Sequence, residues 1–123
     1  MKVSEYPQGD GVAVATLTGK DLDYWVARAQ GWDCDEYGNW YEDYVGGAEI
    51  VYDYTPSTNW QQCGELIIRF RVYLDHLISG KWRAQSLLKL GTNSAKGSTP
   101  QEAICRAVVA SVYGDTVGED GNG

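Results

Sequence analysis

Tyr54-Thr55-Pro56-Ser57-Thr58-Asn59-Trp60 stands near the middle of the chain and marks a change from extended to helical structure. Pro56 fixes its own φ and holds Thr55 extended, while Ser57, Thr58 and Asn59 carry side chains well suited to accept from nearby backbone N–H groups. The stretch reads as a strand end, a tight turn and a helix start. Two hydroxyls and an amide directly before Trp60 also make it a candidate ligand-contacting loop, and a cap that only satisfies its own backbone explains the same residues equally well.

Downstream, Gly64 interrupts any long helix, and two periods overlap. Leu66-Ile67-Ile68 suits a helical turn, whereas Ile68, Phe70, Val72 and Leu74 alternate with Arg69, Arg71 and Tyr73 as a half-buried strand would. The pattern predicts a short helix that hands over to a strand near Phe70. Ser79-Gly80 makes a turn, and Trp82, Ala84, Ser86 and Leu88 alternate along a return strand, giving a hairpin. Gly91 to Gly97 reads as a polar loop. Thr99-Pro100-Gln101-Glu102 is a full capping box with Pro at the first helical position, followed by Ile104, Val108 and Val112 on one face and a stop at Gly114. Residues 117–123 read as a flexible tail.

Upstream, residues 1–11 read as a loose arm and Val12 to Leu17 as a short apolar strand. Thr18-Gly19-Lys20-Asp21 has the spacing of a capping box with Asp in place of Glu, and Leu22, Trp25, Val26 and Ala29 recur at helical spacing as far as Gly31. From Trp32 to Asp53 the chain has seven acids, no base and six aromatics. Gly38-Asn39 suits a tight turn, Trp40 to Val45 a strand and Gly46-Gly47 the next break, so this region reads as another hairpin. Asp33-x-Asp35-x-x-Gly38 has the look of a calcium loop's opening, but Tyr37 and Tyr44 stand where oxygen ligands are required, and no metal site is expected. The sum is a single α+β domain over residues 1–123: a small antiparallel sheet built from hairpins, packed against two main helices and one short one.

Composition narrows the function. A chain of 123 residues can bury one core. No apolar run reaches the length of a membrane span and no signal peptide opens the chain, so a soluble, cytoplasmic protein is expected. Cys34, Cys63 and Cys105 are widely spaced and odd in number, which predicts reduced, mostly buried thiols. The net charge of −7 is uneven: residues 1–60 hold eleven acids against three bases, and residues 61–123 hold six acids against seven bases. No basic stripe is available for direct nucleic-acid binding.

Three blocks resemble the NinX-like family of small phage proteins. They are Leu17-Thr18-Gly19-x-x-Leu22-Asp23-Tyr24-x-Val26-Ala27-x-Ala29-x-Gly31, then Pro56-Ser57-Thr58-Asn59-Trp60, then Thr99-Pro100-x-x-Ala103-x-x-Arg106-Ala107-x-Val109-Ala110-Ser111-x-x-Gly114-Asp115. The resemblance implies a bacteriophage or prophage accessory protein working in the bacterial cytoplasm and carries no activity with it. Where such proteins continue after the tryptophan with a Gly-Gly-Pro-like segment, this chain has Gln61-Gln62-Cys63-Gly64-Glu65. Val112 stands where a basic residue often follows Ser111.

For an enzyme, only His76 beside Asp75 offers a base, and no nucleophile elbow, phosphate-cradling glycine loop or spaced carboxylate pair accompanies it. A binding protein without cofactor is the better expectation, in two forms. In the first, Ser57, Thr58, Asn59, Ser98 and Thr99 offer hydroxyls and N–H groups to an anion, Arg69 and Arg106 add charge, and Trp60 and Trp82 stack a base, which suits a nucleotide-like ligand such as a host defence signal. In the second, Asp35, Glu36, Trp40, Tyr41, Glu42, Asp43 and Tyr44 form an acidic, aromatic surface that docks on a basic host protein. An i,i+4 pair of Glu102 with Arg106 and an ordinary solvated hairpin are the structural readings of the same residues. Either form is compatible with a homodimer covering the sheet edges.

Overall fold

The computed structural model describes residues 11–44, 46–88 and 94–118. Strand β1 (Val12–Ala13) leads into a 3-10 turn (Val14–Thr16) and helix α1 (Gly19–Ala29). Strands β2 (Asp33–Cys34), β3 (Trp40–Tyr44) and β4 (Gly47–Val51) follow, then helix α2 (Trp60–Phe70). Strands β5 (Val72–His76), β6 (Trp82–Ser86) and β7 (Ala95–Gly97) precede helix α3 (Pro100–Tyr113) and strand β8 (Thr116–Val117). The α+β class stands. The described strands form three antiparallel sheets, in the orders β1-β8, β2-β3-β4 and β5-β6-β7, where the sequence suggested one.

Helix α3 is the centre of the molecule. Its capping box is complete, with Glu102 N–H donating to Thr99 Oγ1 at 3.1 Å and Ser98 N–H donating to Glu102 Oε1 at 2.9 Å. Ala103 to Ser111 are all buried except Arg106, because α1, α2, β6 and β7 lie against different sides of the helix. Alanines at 103, 107 and 110 leave room for those neighbours to come close. Gly97 of β7 is the tightest approach: a Cβ there would stand 2.5 Å from Ala103 N and 2.9 Å from Glu102 Cβ.

Several expectations are corrected. The Val12 to Leu17 strand lasts only two residues before Val14 turns in to the core. Thr18 occupies the N-cap of α1 without a side-chain bond. Helix α2 is no shorter than α1, since Asn59 accepts from Gln62 N–H at 3.0 Å to start it and Arg71 takes a left-handed conformation to end it. That reversal lets the strand period begin cleanly at Val72. The return strand stops at Ser86, whose buried hydroxyl donates to Phe70 O at 2.6 Å. The polar stretch before Thr99 contains β7, which pairs with β6. The expected tail does not begin at 117, because Val117 is buried and pairs with Val12. The remainder of the tail from residue 119, the arm over residues 1–10, and residues 45 and 89–93 lie outside the described residues.

Because the obstacle at Gly97 is backbone and not a flexible side-chain tip, Gly97→Ala should lower unfolding stability by about 1–3 kcal/mol in urea denaturation, with far-UV circular dichroism unchanged.

Candidate functional site

The residues singled out from the sequence are distributed over separate places. At the start of α2, Asn59 caps the helix, Thr58 Oγ1 donates to Thr55 O at 3.4 Å, and Ser57 N–H donates to Asp23 Oδ1 of α1 at 2.9 Å. Trp60 stands in the first turn with 51% of its surface exposed. Arg69 lies at the far end of the same helix, donating to Gln30 Oε1 and facing Glu42 at 3.7 Å. One face of Trp82 is covered by His76, stacked at 4.0 Å between centroids. His76, the only histidine in the sequence, is exposed, and the neighbouring Asp75 is paired with Arg83.

Ser98 and Arg106 do come together. They line a cleft of about 550 Å³ with Lys81, Ser94, Lys96, Glu102 and Asp115, closed behind by Val14 and Ala110. Thr99 caps the helix beside it. Arg106 is a brace for this cleft: its Nε donates to Leu17 O at 3.0 Å, one terminal nitrogen donates to Lys96 O at 2.8 Å, and Glu102 lies 3.4 Å away. Lys81 and Lys96 make no ion pair among the described residues. Neither lysine stood out in the sequence. Lys81 follows a turn and Lys96 sits in the stretch read as a loop, and only the β6–β7 pairing brings them to one place.

The acidic hairpin is a three-stranded sheet. Asp35 accepts from Tyr37 N–H, Asn39 N–H, the Asn39 side-chain amide and Tyr41 O–H, at 2.8 to 3.3 Å. These bonds, the Asn39 N–H foremost, hold its carboxyl below the usual range. Asp35 is therefore a turn residue, Glu42 faces Arg69, and Trp40 is buried against Ala27 and Trp32. Glu36 and Asp43 remain exposed, as does Tyr37 with 80% of its surface free. Among the described residues no group of three His, Cys, Asp or Glu side chains could hold a metal ion.

A family profile described as Bacteriophage P22, NinX matches residues 13–112. The chain belongs to the bacteriophage P22 NinX family. The matched span contains α1, α2, nearly all of α3 and every residue of the α3 cleft named above except Asp115. No curated protein matches the chain. NinX membership makes it a phage accessory protein. No helix among its described residues is long and apolar enough to cross a membrane.

Asp23 was quoted above only as part of the family block, yet it joins two of the blocks. It is 7% exposed, and burial pushes its carboxyl above the ordinary value of 3.8 against the opposing pull of the Ser57 N–H. A folded state that holds this proton more tightly than the unfolded chain loses stability as pH rises from about 3.8 through the raised value. Asp23→Asn keeps the acceptor for Ser57 and removes the buried charge. Thermal unfolding across pH 3 to 8 should therefore show the variant gaining on the parent as pH rises, whereas Asp23→Ala, which orphans the Ser57 N–H, should cost about 1–3 kcal/mol.

Proposed function

We propose that this phage protein is a non-enzymatic binding protein that sequesters a phosphate-bearing nucleotide in the α3 cleft. The observation that carries this reading is the convergence of Lys81 and Lys96, without ion-pair partners among the described residues, on a cleft that also holds Ser94 and Ser98. Ammonium groups on flexible stems meet phosphate oxygens as point charges, and hydroxyls serve the remaining lone pairs. A cleft of about 550 Å³ is in the range that takes a small molecule. Glu102 and Asp115 on the same walls favour the donor-rich sugar or base end of such a ligand over its phosphates. A phage gains from sequestration when the nucleotide is a signal of host defence, and sequestration needs affinity but no bond-making.

A second reading is favoured by one observation: the β2-β3-β4 sheet pairs with no other described strand and exposes Glu36, Asp43 and Tyr37. That surface suits docking on a basic host protein.

Native mass spectrometry of protein purified from infected cells should show a nucleotide-sized adduct that disappears on mild denaturation. In calorimetric titration with ATP, each of Lys81→Ala and Lys96→Ala should weaken binding about tenfold, while Glu36→Gln with Asp43→Asn leaves it unchanged. An apo mass from infected cells, with host-protein capture lost in the Glu36 and Asp43 variant, would transfer the function to the acidic sheet.

A further inference from the structure

A second cleft, of about 390 Å³, runs between α1 and the β2-β3-β4 sheet and is lined by Asp23, Tyr24, Asn39, Trp40, Asp53 and Tyr54 among others. Its character is opposite to that of the α3 cleft. Asp23 Oδ1 accepts from Ser57 N–H, and the Ser57 hydroxyl lies beside the same carboxylate and favours its charged form. Ser57 Oγ is buried and meets no other hydrogen-bond partner among the described residues. No cation pairs with Asp23 among the described residues, although Lys20 lies on the same cleft. An ionised carboxylate this deeply buried is costly unless donors or a cation come to it.

The walls supply the rest of a recognition site. Tyr24 and Trp40 meet at 5.5 Å between ring centroids, and Tyr54 packs edge-on against Trp32 at 4.6 Å. Arg28 holds the hydroxyl end of Tyr24, donating to its Oη at 2.8 Å with the guanidinium carbon 5.7 Å from the ring centroid. Asp53, held at a positive φ of 49°, adds a second carboxylate to the lining. We propose that this cleft is a binding site for a compact organic cation bearing N–H donors, a guanidinium or primary ammonium group, whose donors pair with the Asp23 carboxylate between aromatic walls. The cation is either a free small molecule or a side chain presented by a peptide. This site is separate from the α3 cleft and stands whether or not that cleft binds a nucleotide.

Isothermal titration calorimetry of the intact chain near neutral pH tests it with two probes, agmatine and an N-acetylated, C-amidated Gly-Arg-Gly peptide. Saturable single-site binding of at least one probe is expected, weakened about tenfold or more by Asp23→Asn and several-fold by Tyr24→Leu. Glu49→Gln, which removes the same charge from an exposed position on β4, should leave the affinity unchanged. Binding of agmatine alone assigns the site to a small molecule, binding of the peptide alone assigns it to a protein side chain, and both results uphold the site. No saturable binding of either probe up to about 10 mM, or equal affinity in a folded Asp23→Asn variant, overturns it.

Discussion

Burial of helix α3 on nearly every side is the constraint on which the rest of the structure depends. An ordinary surface helix hides one stripe and leaves the opposite face to charged residues. Here Ala103, Ile104, Cys105, Ala107, Val108, Val109 and Ala110 are all buried, so every polar group near the helix must find a partner inside the fold. The small residues allow close approach, and Gly97 allows the closest. Cys63 of α2 and Cys105 of α3 are both buried thiols within this core, and the hydrogen bond with Cys63, followed by burial, pushes the Cys105 thiol up.

Arg106 follows from the same constraint. It is the one charged side chain on the buried part of α3, and its guanidinium spans two backbone carbonyls, Leu17 O and Lys96 O, that belong to segments far apart in the chain. Five N–H donors in a rigid fork suit that task better than a lysine would. The capping box performs the matching task at the start of the helix. Two groups that offered an anion site in the sequence, the Ser98 N–H and the Thr99 hydroxyl, are thereby engaged within the protein, donating to Glu102 Oε1 and accepting from Glu102 N–H. The charge beside the brace is that of Lys81 and Lys96, which make no ion pair among the described residues.

Helix α3 was legible because cap and period agreed, α1 because its apolar period held over more than two turns although Thr18 makes no capping bond, and the Asn59 cap marked the start of α2. The end of α2 was not, because Ile68, Phe70 and Val72 satisfy a strand period, and the left-handed Arg71 that separates helix from strand has no sequence signature. Strands β1, β7 and β8 are two or three residues long and owe their existence to distant partners, which no local window contains. The candidate sites were legible only as residue types. Ser98, just before α3, and Arg106, within it, line one cleft, whereas Trp60 and Trp82 answer to different neighbours, and Lys81 and Asp23 acquire meaning only from the surfaces packed against them.

The uneven charge of the chain now has a spatial counterpart. The acid-rich first half builds α1 and the β2-β3-β4 sheet, and the cleft between them is lined by carboxylates and aromatic rings. The second half, with its slight excess of bases, contributes both lysines of the α3 cleft. A solubility role would be served by acids at the surface, yet Asp23 is buried and Asp35 closes a turn with four hydrogen bonds. Glu36 and Asp43 fit the solubility role, since both remain exposed. Asp23 does not: it is a buried carboxylate on α1 whose burial is offset by the Ser57 N–H and hydroxyl, so its place is set by the contact between α1 and the turn before α2 and not by solvent.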